Sequence, residues 1–337
     1  MSTRKKLKLF SKKNKRFKNP HIDKIHRGLF DVILWKSGYY KDAKTWPKPP
    51  EAFTYPVPET PLNKQHPQVM WINHCTFLIT IDNVNILTDP IWSNRCSPFS
   101  FLGPIRRHHP SLKLEELPKI DYVLISHNHY DHLDKNTVEW LKKKNPEITW
   151  FVPTGVKKWF TERGIEKVIE LSWWEEATVK HPDNSELNIK ATAVPTQHFS
   201  GRSPLDINQT LWAGWVLDFE RKTRPPKRLY FVGDTGYNQH DFKNIGEKFG
   251  YMDLSLIPIG TYLPIQFMSP VHIQPGDSVK IHKEVGSQLS IGMHWKTFNL
   301  SDEPLNQPPY DLLLALEKEH INPASFLALE PGRVINW

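Results

Sequence analysis

The chain has 337 residues, of which 39% are hydrophobic and 24% are charged, so it can bury a substantial core in one large domain or two. No run of 18 apolar residues occurs, which excludes a membrane-spanning helix, and Cys75 and Cys96 are too few for a disulfide framework. The formal net charge of +8 comes from the start of the chain, because residues 1–18 hold nine lysines or arginines and no acid, leaving about −1 for the rest.

The first 60 residues are predicted to form a basic tail and a proline-rich linker, partly disordered. The tail lacks the apolar stretch of a signal peptide and is typical of an arm attracted to anionic lipid or nucleic acid. The proline-rich stretch at 46–61 is typical of an extended linker. Between them, the apolar segment at 22–40 indicates either a helix that docks on the body or an interfacial membrane helix.

From residue 68 onward the hydrophobic pattern predicts strands in bunches, followed by strands that alternate with helices. Residues 68–90 are typical of strands with a hairpin turn at Asp82 and Asn83. Further strands are predicted at 121–126, 148–153, 167–171, 186–198, 211–220, 228–236, 252–260, 288–295 and 325–332. Helices are predicted at 136–146, 154–164, 241–250, 274–286 and 310–320. This order favours layered sheets with helices outside.

The stretch LISHNHYDHLD, residues 124–134, gathers five titratable side chains directly after a buried strand. They are His127, His129, Asp131, His132 and Asp134. Histidine and aspartate are common in turns and helix caps, but a cluster this dense favours a divalent cation, whose ordinary ligands are imidazole nitrogens and carboxylate oxygens. The first two histidines are two positions apart and point the same way in extended chain, whereas the next pair follows as the chain turns toward a helix. The loop therefore offers two ligands to each of two metals.

Three other predicted strands also run into a single polar residue: His198, Asp234 and His294. Each alone is typical of a satisfied polar residue or a turn. Together they complete a dinuclear site, in which His198 gives the first metal a third imidazole and His294 gives the second a further one. Asp234 can bridge the two cations, as carboxylates do in two-metal sites.

The series SHNHYDHLD, TQHF, GDTGY and GMHWKTF resembles the metallo-β-lactamase superfamily, an α+β fold in which two internal β-sheets are flanked by helices as an αββα sandwich. Segments such as LTDPIWSNRCSPFSFLGP and FMSPVHIQPGDSVKIH resemble, within it, the N-acylphosphatidylethanolamine-hydrolysing phospholipase D family. That resemblance runs from about residue 68 to 332 and makes 61–337 the catalytic domain. It implies two Zn²⁺ ions. The implied ligands are His127, His129 and His198 on one, Asp131, His132 and His294 on the other, with Asp234 bridging.

The resemblance also implies the reaction. N-acylphosphatidylethanolamine would be hydrolysed to N-acylethanolamine and phosphatidic acid, by attack on phosphorus of a hydroxide that bridges the metals. Asp131 would be a catalytic residue as well as a ligand. His272 matches a family histidine near the cleft and would donate a proton to the leaving group or orient it. The family has glutamine immediately before that histidine, where this chain has Val271, so a polar contact at the substrate mouth differs.

A lipid substrate needs an apolar approach, and the segments 97–110 and 261–268 are candidates for it, the alternative being that both are packed loops. The candidate contacts are Phe99, Phe101, Leu102, Arg106, Arg107, Tyr262, Phe267 and Met268. We expect a phospholipid substrate and an anionic membrane surface as partners, no nucleic acid, and a cytoplasmic, peripherally membrane-associated protein. A homodimer is left open.

Two other functions are compatible with the sequence. The chain could be another hydrolase of the same superfamily, either a nucleic-acid phosphodiesterase or a lactonase of sugar acids. The basic tail favours nucleic acid, but the nearly neutral remainder does not, because a nuclease cleft is lined by positive charge. A non-enzymatic membrane tether with a vestigial metal fold is disfavoured by the complete ligand set.

Overall fold

The computed structural model describes residues 10–11, 16–23, 29–40, 46–59, 61–63, 65–181 and 184–337. Part of the predicted tail and part of the segment at 22–40 therefore lie outside the described residues. Within the described ranges, no helix combines the length and apolar character needed to cross a membrane.

Sixteen strands and seven helices are described. The strands are β1 (Phe10–Ser11), β2 (Arg16–Phe17), β3 (Gln68–Asn73), β4 (Thr76–Ile81), β5 (Val84–Thr88), β6 (Tyr122–Leu124), β7 (Thr149–Pro153), β8 (Val168–Leu171), β9 (Glu176–His181), β10 (Asn184–Val194), β11 (Gly214–Arg221), β12 (Lys227–Phe231), β13 (Met252–Pro258), β14 (Ser287–Met293), β15 (Phe326–Leu327) and β16 (Val334–Asn336). The helices are α1 (Leu29–Lys36), α2 (Lys135–Lys144), α3 (Lys157–Thr161), α4 (Asp241–Phe249), α5 (Ile265–Met268), α6 (Pro275–Glu284) and α7 (Gln307–Lys318).

Two seven-stranded mixed sheets form the centre of the molecule. The first has the order β16-β3-β4-β5-β6-β7-β8, and the second has the order β15-β14-β13-β12-β11-β10-β9. In the first sheet β5 to β8 run parallel, and in the second β12 to β15 run parallel. The carboxyl ends of neighbouring parallel strands meet at one edge of a sheet, which is where polar loops can converge on a site.

One large apolar core fills the space between the sheets, with Trp71 and Phe77 from the first sheet and Phe219 and Ile291 from the second. Helices α4, α6 and α7 pack on the other face of the second sheet, and their buried side chains belong to the same continuous apolar cluster. A smaller core under α2 and α3, which includes Val138, covers the outer face of the first sheet. The α+β sandwich predicted from the resemblance is confirmed.

The predicted hairpin at residues 68–90 is also confirmed. Strands β4 and β5 pair antiparallel across Asp82 and Asn83, which adopt φ angles of 48° and 67°. Such left-handed angles are tolerated best by glycine, asparagine and aspartate, so the local sequence determines this turn.

Four strands were not predicted, namely β1, β2, β9 and β16, and some of the predicted strands were too long. Strand β9 carries little apolar sequence and alternates between exposed and partly buried positions, and β16 is a short terminal strand that pairs antiparallel with β3. The strand predicted at 325–332 is regular only over Phe326–Leu327. These elements depend on pairing between distant parts of the chain, which local periodicity does not reveal.

The segments predicted to precede the folded domain contact it at several points. Helix α1 docks through Trp35, which stacks on Phe267 at 5.0 Å between ring centroids and donates a hydrogen bond to Asp302 over 2.8 Å. In the linker, the hydroxyl of Tyr55 donates to a carbonyl of β15, and the carbonyl of Pro47 accepts from Gln307. Docking is thus the alternative that α1 adopts, although Phe30 and Ile33 on the same segment remain exposed.

Candidate metal centre

The predicted ligands all follow the carboxyl ends of strands and come together at one edge of the sandwich. His127 and its neighbours follow β6 in the first sheet, whereas His198, Asp234 and His294 follow β10, β12 and β14 in the second. Both sheets therefore contribute to a single cluster. His294 has a φ of 62°, and its backbone N–H donates to the carbonyl of His74 over 3.1 Å, which joins the end of β14 to the β3–β4 turn of the first sheet.

Three imidazoles form the first group of potential ligands: His127, His129 and His198. The nearest nitrogens are 2.7 Å apart between His127 and His129, and 3.3 Å apart between His129 and His198. Burial lowers the pKa of His127 and His198 well below the ordinary value and that of His129 to about 4. The rings are therefore neutral, which is the form that binds a cation.

The second group comprises two carboxylates and two imidazoles: Asp131, His132, Asp234 and His294. Oδ2 of Asp234 lies 3.2 Å from Nε2 of both His132 and His294. The same oxygen is 3.7 Å from Nε2 of His198 and 4.0 Å from Nε2 of His127, which belong to the first group. Asp234 thus lies between the two groups, in the position that a bridging carboxylate requires.

The second group has polar atoms that the protein itself leaves unsatisfied. Within this group, three buried atoms have no hydrogen-bond partner among the described residues: Nε2 of His132, Nε2 of His294 and Oδ1 of Asp234. Although burial favours the neutral ring, Asp234 and Asp131 raise the pKa of His294 to about 9, so the site attracts positive charge. Buried carboxylates and orphaned nitrogens are costly without a partner, and divalent cations would satisfy them. The residues fit two such ions.

Outer hydrogen bonds fix the orientation of the imidazoles. Nδ1 of His198 donates to the carbonyl of Val271 over 3.0 Å, and Nδ1 of His294 lies 3.0 Å from the hydroxyl of Thr261. Nδ1 of His127 is 2.8 Å from Ser126 Oγ. In all three rings Nε2 is left facing the cluster. Second partners of this kind set the tautomer and basicity of metal ligands.

Asp89 is a buried carboxylate that sequence reasoning assigned no role. It accepts hydrogen bonds from Nδ1 of His132 over 2.7 Å, from Ser126 Oγ over 2.5 Å and from the Ser126 amide over 2.7 Å. It connects ligands of both groups, because Ser126 also contacts His127. Asp89 directly follows β5, so the strand-end signal that identified the ligands would have found it too.

His74 is the second residue that was missed. Its Nε2 lies 3.0 Å from Asp131 Oδ2, its ring is fully buried, and burial together with His294 lowers its pKa to about 3. The ring is therefore neutral and donates to the carboxylate. His74 directly follows β3, so the strand-end signal applies to it as well, but the sequence does not reveal its approach to Asp131.

His272 lies at the open edge of the cluster, as the resemblance implied. Its Nδ1 is 4.0 Å from Asp234 Oδ2, and its ring centroid is 5.3 Å from those of His198 and His294. The side chains of His272 and Asp131 are each 14% exposed, which places both on the side from which a substrate can enter. The catalytic role of His272 stays a prediction.

The candidate lipid contacts divide into surface and interior residues. Phe99, Phe101, Leu102 and Arg107 are exposed. Phe267 and Met268 are buried, and Phe267 stacks on Trp35 of α1.

Arg106 and Tyr262 require a correction. The guanidinium of Arg106 is buried and donates to Asn73 and to backbone carbonyls, and the hydroxyl of Tyr262 donates to Asp311. Because protein oxygens already satisfy both groups, these residues hold the fold and present no surface to a lipid.

A model of the beta-lactamase superfamily domain matches residues 84–295. The N-acyl-phosphatidylethanolamine-hydrolyzing phospholipase D 1 of Caenorhabditis elegans is 40% identical over 271 residues, which are 78% of this chain and 74% of that protein. The mitochondrial enzyme of the same description from Saccharomyces cerevisiae is 38% identical over 73% of this chain, although the match spans only 51% of the yeast protein.

Solved structures support the fold at lower identity. A metallo-hydrolase of Ignicoccus hospitalis covers 80% of this chain and 98% of its own, with a TM-score of 0.58 at 20% identity. A protein of Veillonella parvula described as a possible metal-dependent hydrolase covers 81% of this chain and 100% of its own, with a TM-score of 0.60 at 18% identity. At these identities the similarity establishes the architecture and not the substrate.

Proposed function

The chain belongs to the N-acylphosphatidylethanolamine-hydrolysing phospholipase D family of the β-lactamase superfamily, and from this membership and the geometry of the metal centre we propose that it is a zinc-dependent phospholipase D. Its substrate would be N-acylphosphatidylethanolamine, and its products N-acylethanolamine and phosphatidic acid. The observation that carries the proposal is the convergence of two ligand groups on Oδ2 of Asp234.

The donor set determines what the site can supply. Five imidazoles and two carboxylates suit zinc, and the ligand sets are those that the resemblance implies. Two cations held there would lower the pKa of water and neutralise the charge that develops on the phosphoryl oxygens. Hydrolysis then needs no acyl or phosphoryl intermediate on the protein.

The side chains around the ligands have separate tasks. Asp234 and Asp131 would supply negative charge to the cations, while Asp89 hydrogen-bonds His132 and His74 hydrogen-bonds Asp131. At the open edge, His272 would orient or protonate the ethanolamine oxygen as the bond to phosphorus breaks.

An exposed apolar loop supports a lipid substrate. Residues 97–105, which we call the apolar loop, present Phe99, Phe101 and Leu102 to solvent beside Arg107. The base of this loop is close to the proposed metal site, since Arg106 lies over the ring of Phe298, which contacts the ring of His74. Apolar side chains next to cations suit acyl chains and lipid phosphates. Peripheral binding to anionic membranes is part of this proposal.

Product analysis tests the proposed function. Purified full-length protein should convert N-acylphosphatidylethanolamine to N-acylethanolamine and phosphatidic acid, lose that activity on treatment with a chelator, and regain it with zinc. Parallel assays with single-stranded and duplex nucleic acid and with sugar-acid lactones should show no turnover. Turnover of either class in place of the phospholipid would select the corresponding alternative hydrolase.

A further inference from the structure

Residues 16–21, which we call the N-terminal strap, lie across the loop that carries the ligand His198. Phe17 is buried in the main core, and its amide donates to the carbonyl of Asn208 over 2.8 Å. The guanidinium of Arg16 donates to the carbonyl of Leu205 over 3.0 Å and also to that of Ile207. A segment at the end of a basic tail is therefore fastened to the loop that follows β10.

The far end of the strap is fixed separately. Nε2 of His21 lies 3.3 Å from Oδ1 of Asp241, the first residue of α4. The ring of His21 also stacks on that of His240 at 4.5 Å between centroids. Contacts on both sides of residue 19 thus hold the strap in one position over the metal centre.

Between these two anchors, the strap touches the backbone of a ligand. Nδ2 of Asn19 donates to the carbonyl oxygen of His198 over 2.8 Å. The loop closes next to this contact, because the Asn208 amide donates to the carbonyl of Ser200 over 2.8 Å, and the Ser200 amide to the side chain of Asn208 over 3.2 Å. Asn19 holds the backbone of His198, while the Val271 carbonyl holds its ring.

We propose that the N-terminal strap positions His198 for metal binding, with Asn19 as the positioning residue, so that part of the presumed tail belongs to the metal centre. This inference rests on the proposed two-metal function. His198 follows the last residue of β10 by four positions, and the peptide before it is fixed because the Gly236 amide donates to the Gln197 carbonyl over 2.7 Å. Asn19 holds the carbonyl of the peptide after it. A shift of this backbone would displace the imidazole, whose Nε2 lies 3.7 Å from Oδ2 of Asp234, and the hydrogen bond from Asn19 opposes such a shift.

The test compares two Asn19 variants with a matched control in the full-length protein. Asn19→Ala removes the side chain, and Asn19→Leu keeps its approximate shape but has no donor. Asn244→Ala is the control, because Asn244 is exposed on α4 and contacts no proposed ligand. After metal removal, zinc affinity is measured by competition with a chromophoric chelator, and kcat and KM are measured on micelle-dispersed substrate at several zinc concentrations.

Both Asn19 variants should bind one of the two zinc ions about tenfold more weakly, the loss seen for partners that orient metal ligands. Their kcat should fall at limiting zinc and recover with excess zinc, while KM and the control stay unchanged. Zinc affinities equal to that of the unmodified protein would overturn the role of the strap and leave the proposed function intact. If the unmodified protein binds no zinc, both proposals fail.

Discussion

At the scale of single residues, Asp234 is the contact point of both ligand groups. Asp234→Asn replaces a charged bridge by a neutral amide, which holds two cations poorly. We expect fewer than two metal ions per chain and a loss of activity of more than about a hundredfold, because the carboxylate is itself a proposed ligand. Elemental analysis and the lipid assay measure the two effects. Asp23→Asn, at an exposed position, is the control, and full metal content in Asp234→Asn would contradict the dinuclear site.

His74 tests how far the site extends beyond its ligands. The ring donates to Asp131 over 3.0 Å, so His74→Leu should leave that carboxylate without its orienting partner. Metal affinity should fall by about 10- to 100-fold, and His74→Gln, which keeps a donor, should recover part of it. Zinc competition titrations distinguish the two variants. If they bind zinc equally and as tightly as the unmodified protein, His74 is only a core residue.

The seven candidate ligands could be predicted from the sequence because they follow the ends of apolar strands, and strand ends of this fold meet at one edge. His74 also follows a strand, but its role could not be predicted, since it depends on the approach of Asp131 from 57 positions away along the chain. Arg106 and Tyr262 were misplaced for a related reason. Their side-chain type indicates a surface, and only the folded structure shows the buried acceptors, Asn73 and Asp311, that satisfy them.

At the scale of elements, the apolar loop is the clearest candidate for membrane contact. A triple variant lacks the three exposed apolar side chains of this loop; it carries Phe99→Ser, Phe101→Ser and Leu102→Ser. If each contributes about 1 kcal/mol on partial burial in lipid, vesicle binding should weaken by about 100-fold, whereas kcat on micelles should change little.

Vesicle sedimentation measures this loss. Tyr251→Ser is the control, because Tyr251 is also exposed but precedes β13, at the end of the strands opposite the metal ligands. Equal sedimentation of the triple variant and the unmodified protein would assign membrane binding to another surface, such as the exposed side of α1.

The elements also show which parts of the first 60 residues contact the folded body. Charge and proline content indicate a tail and linker up to residue 60. Such composition describes the average of a segment and does not show what its individual side chains contact. Single side chains within it nevertheless dock on the body: Phe17 in the main core, Trp35 against Phe267 and Tyr55 against β15. Aromatic side chains bury a large apolar area, so a few of them can dock a segment whose average composition is typical of disorder.

At the scale of the whole molecule, the charge distribution predicts electrostatic attraction to membranes. A variant with seven glutamine substitutions in the tail lacks seven of the nine tail cations but keeps the strap intact. The substituted residues are Arg4, Lys5, Lys6, Lys8, Lys12, Lys13 and Lys15. Each basic residue near an anionic surface contributes about 1 kcal/mol, and salt screens this attraction within a Debye length.

The glutamine variant should turn over micelle-dispersed substrate normally and act more slowly on anionic vesicles, and the difference should shrink at high salt. The same substitutions assayed on zwitterionic vesicles are the control for any effect unrelated to charge. Equal rates on anionic vesicles at low salt would show that the tail does not direct binding.

The sandwich as a whole could be predicted because alternating strands and helices limit the possible layers. The strand order within each sheet could not, since β16 pairs with β3 across more than 260 positions of the chain. Resemblance to a known family provides that long-range information, and local periodicity does not.

The most direct test of the central claim, attack on phosphorus at a two-metal centre, is hydrolysis of N-acylphosphatidylethanolamine in ¹⁸O-labelled water. Protein with two zinc ions per chain should incorporate the label into phosphatidic acid and none into N-acylethanolamine. Label in the N-acylethanolamine hydroxyl would show cleavage of the carbon–oxygen bond, and label in a released fatty acid would show attack at a carbonyl. Either result would contradict the proposed reaction.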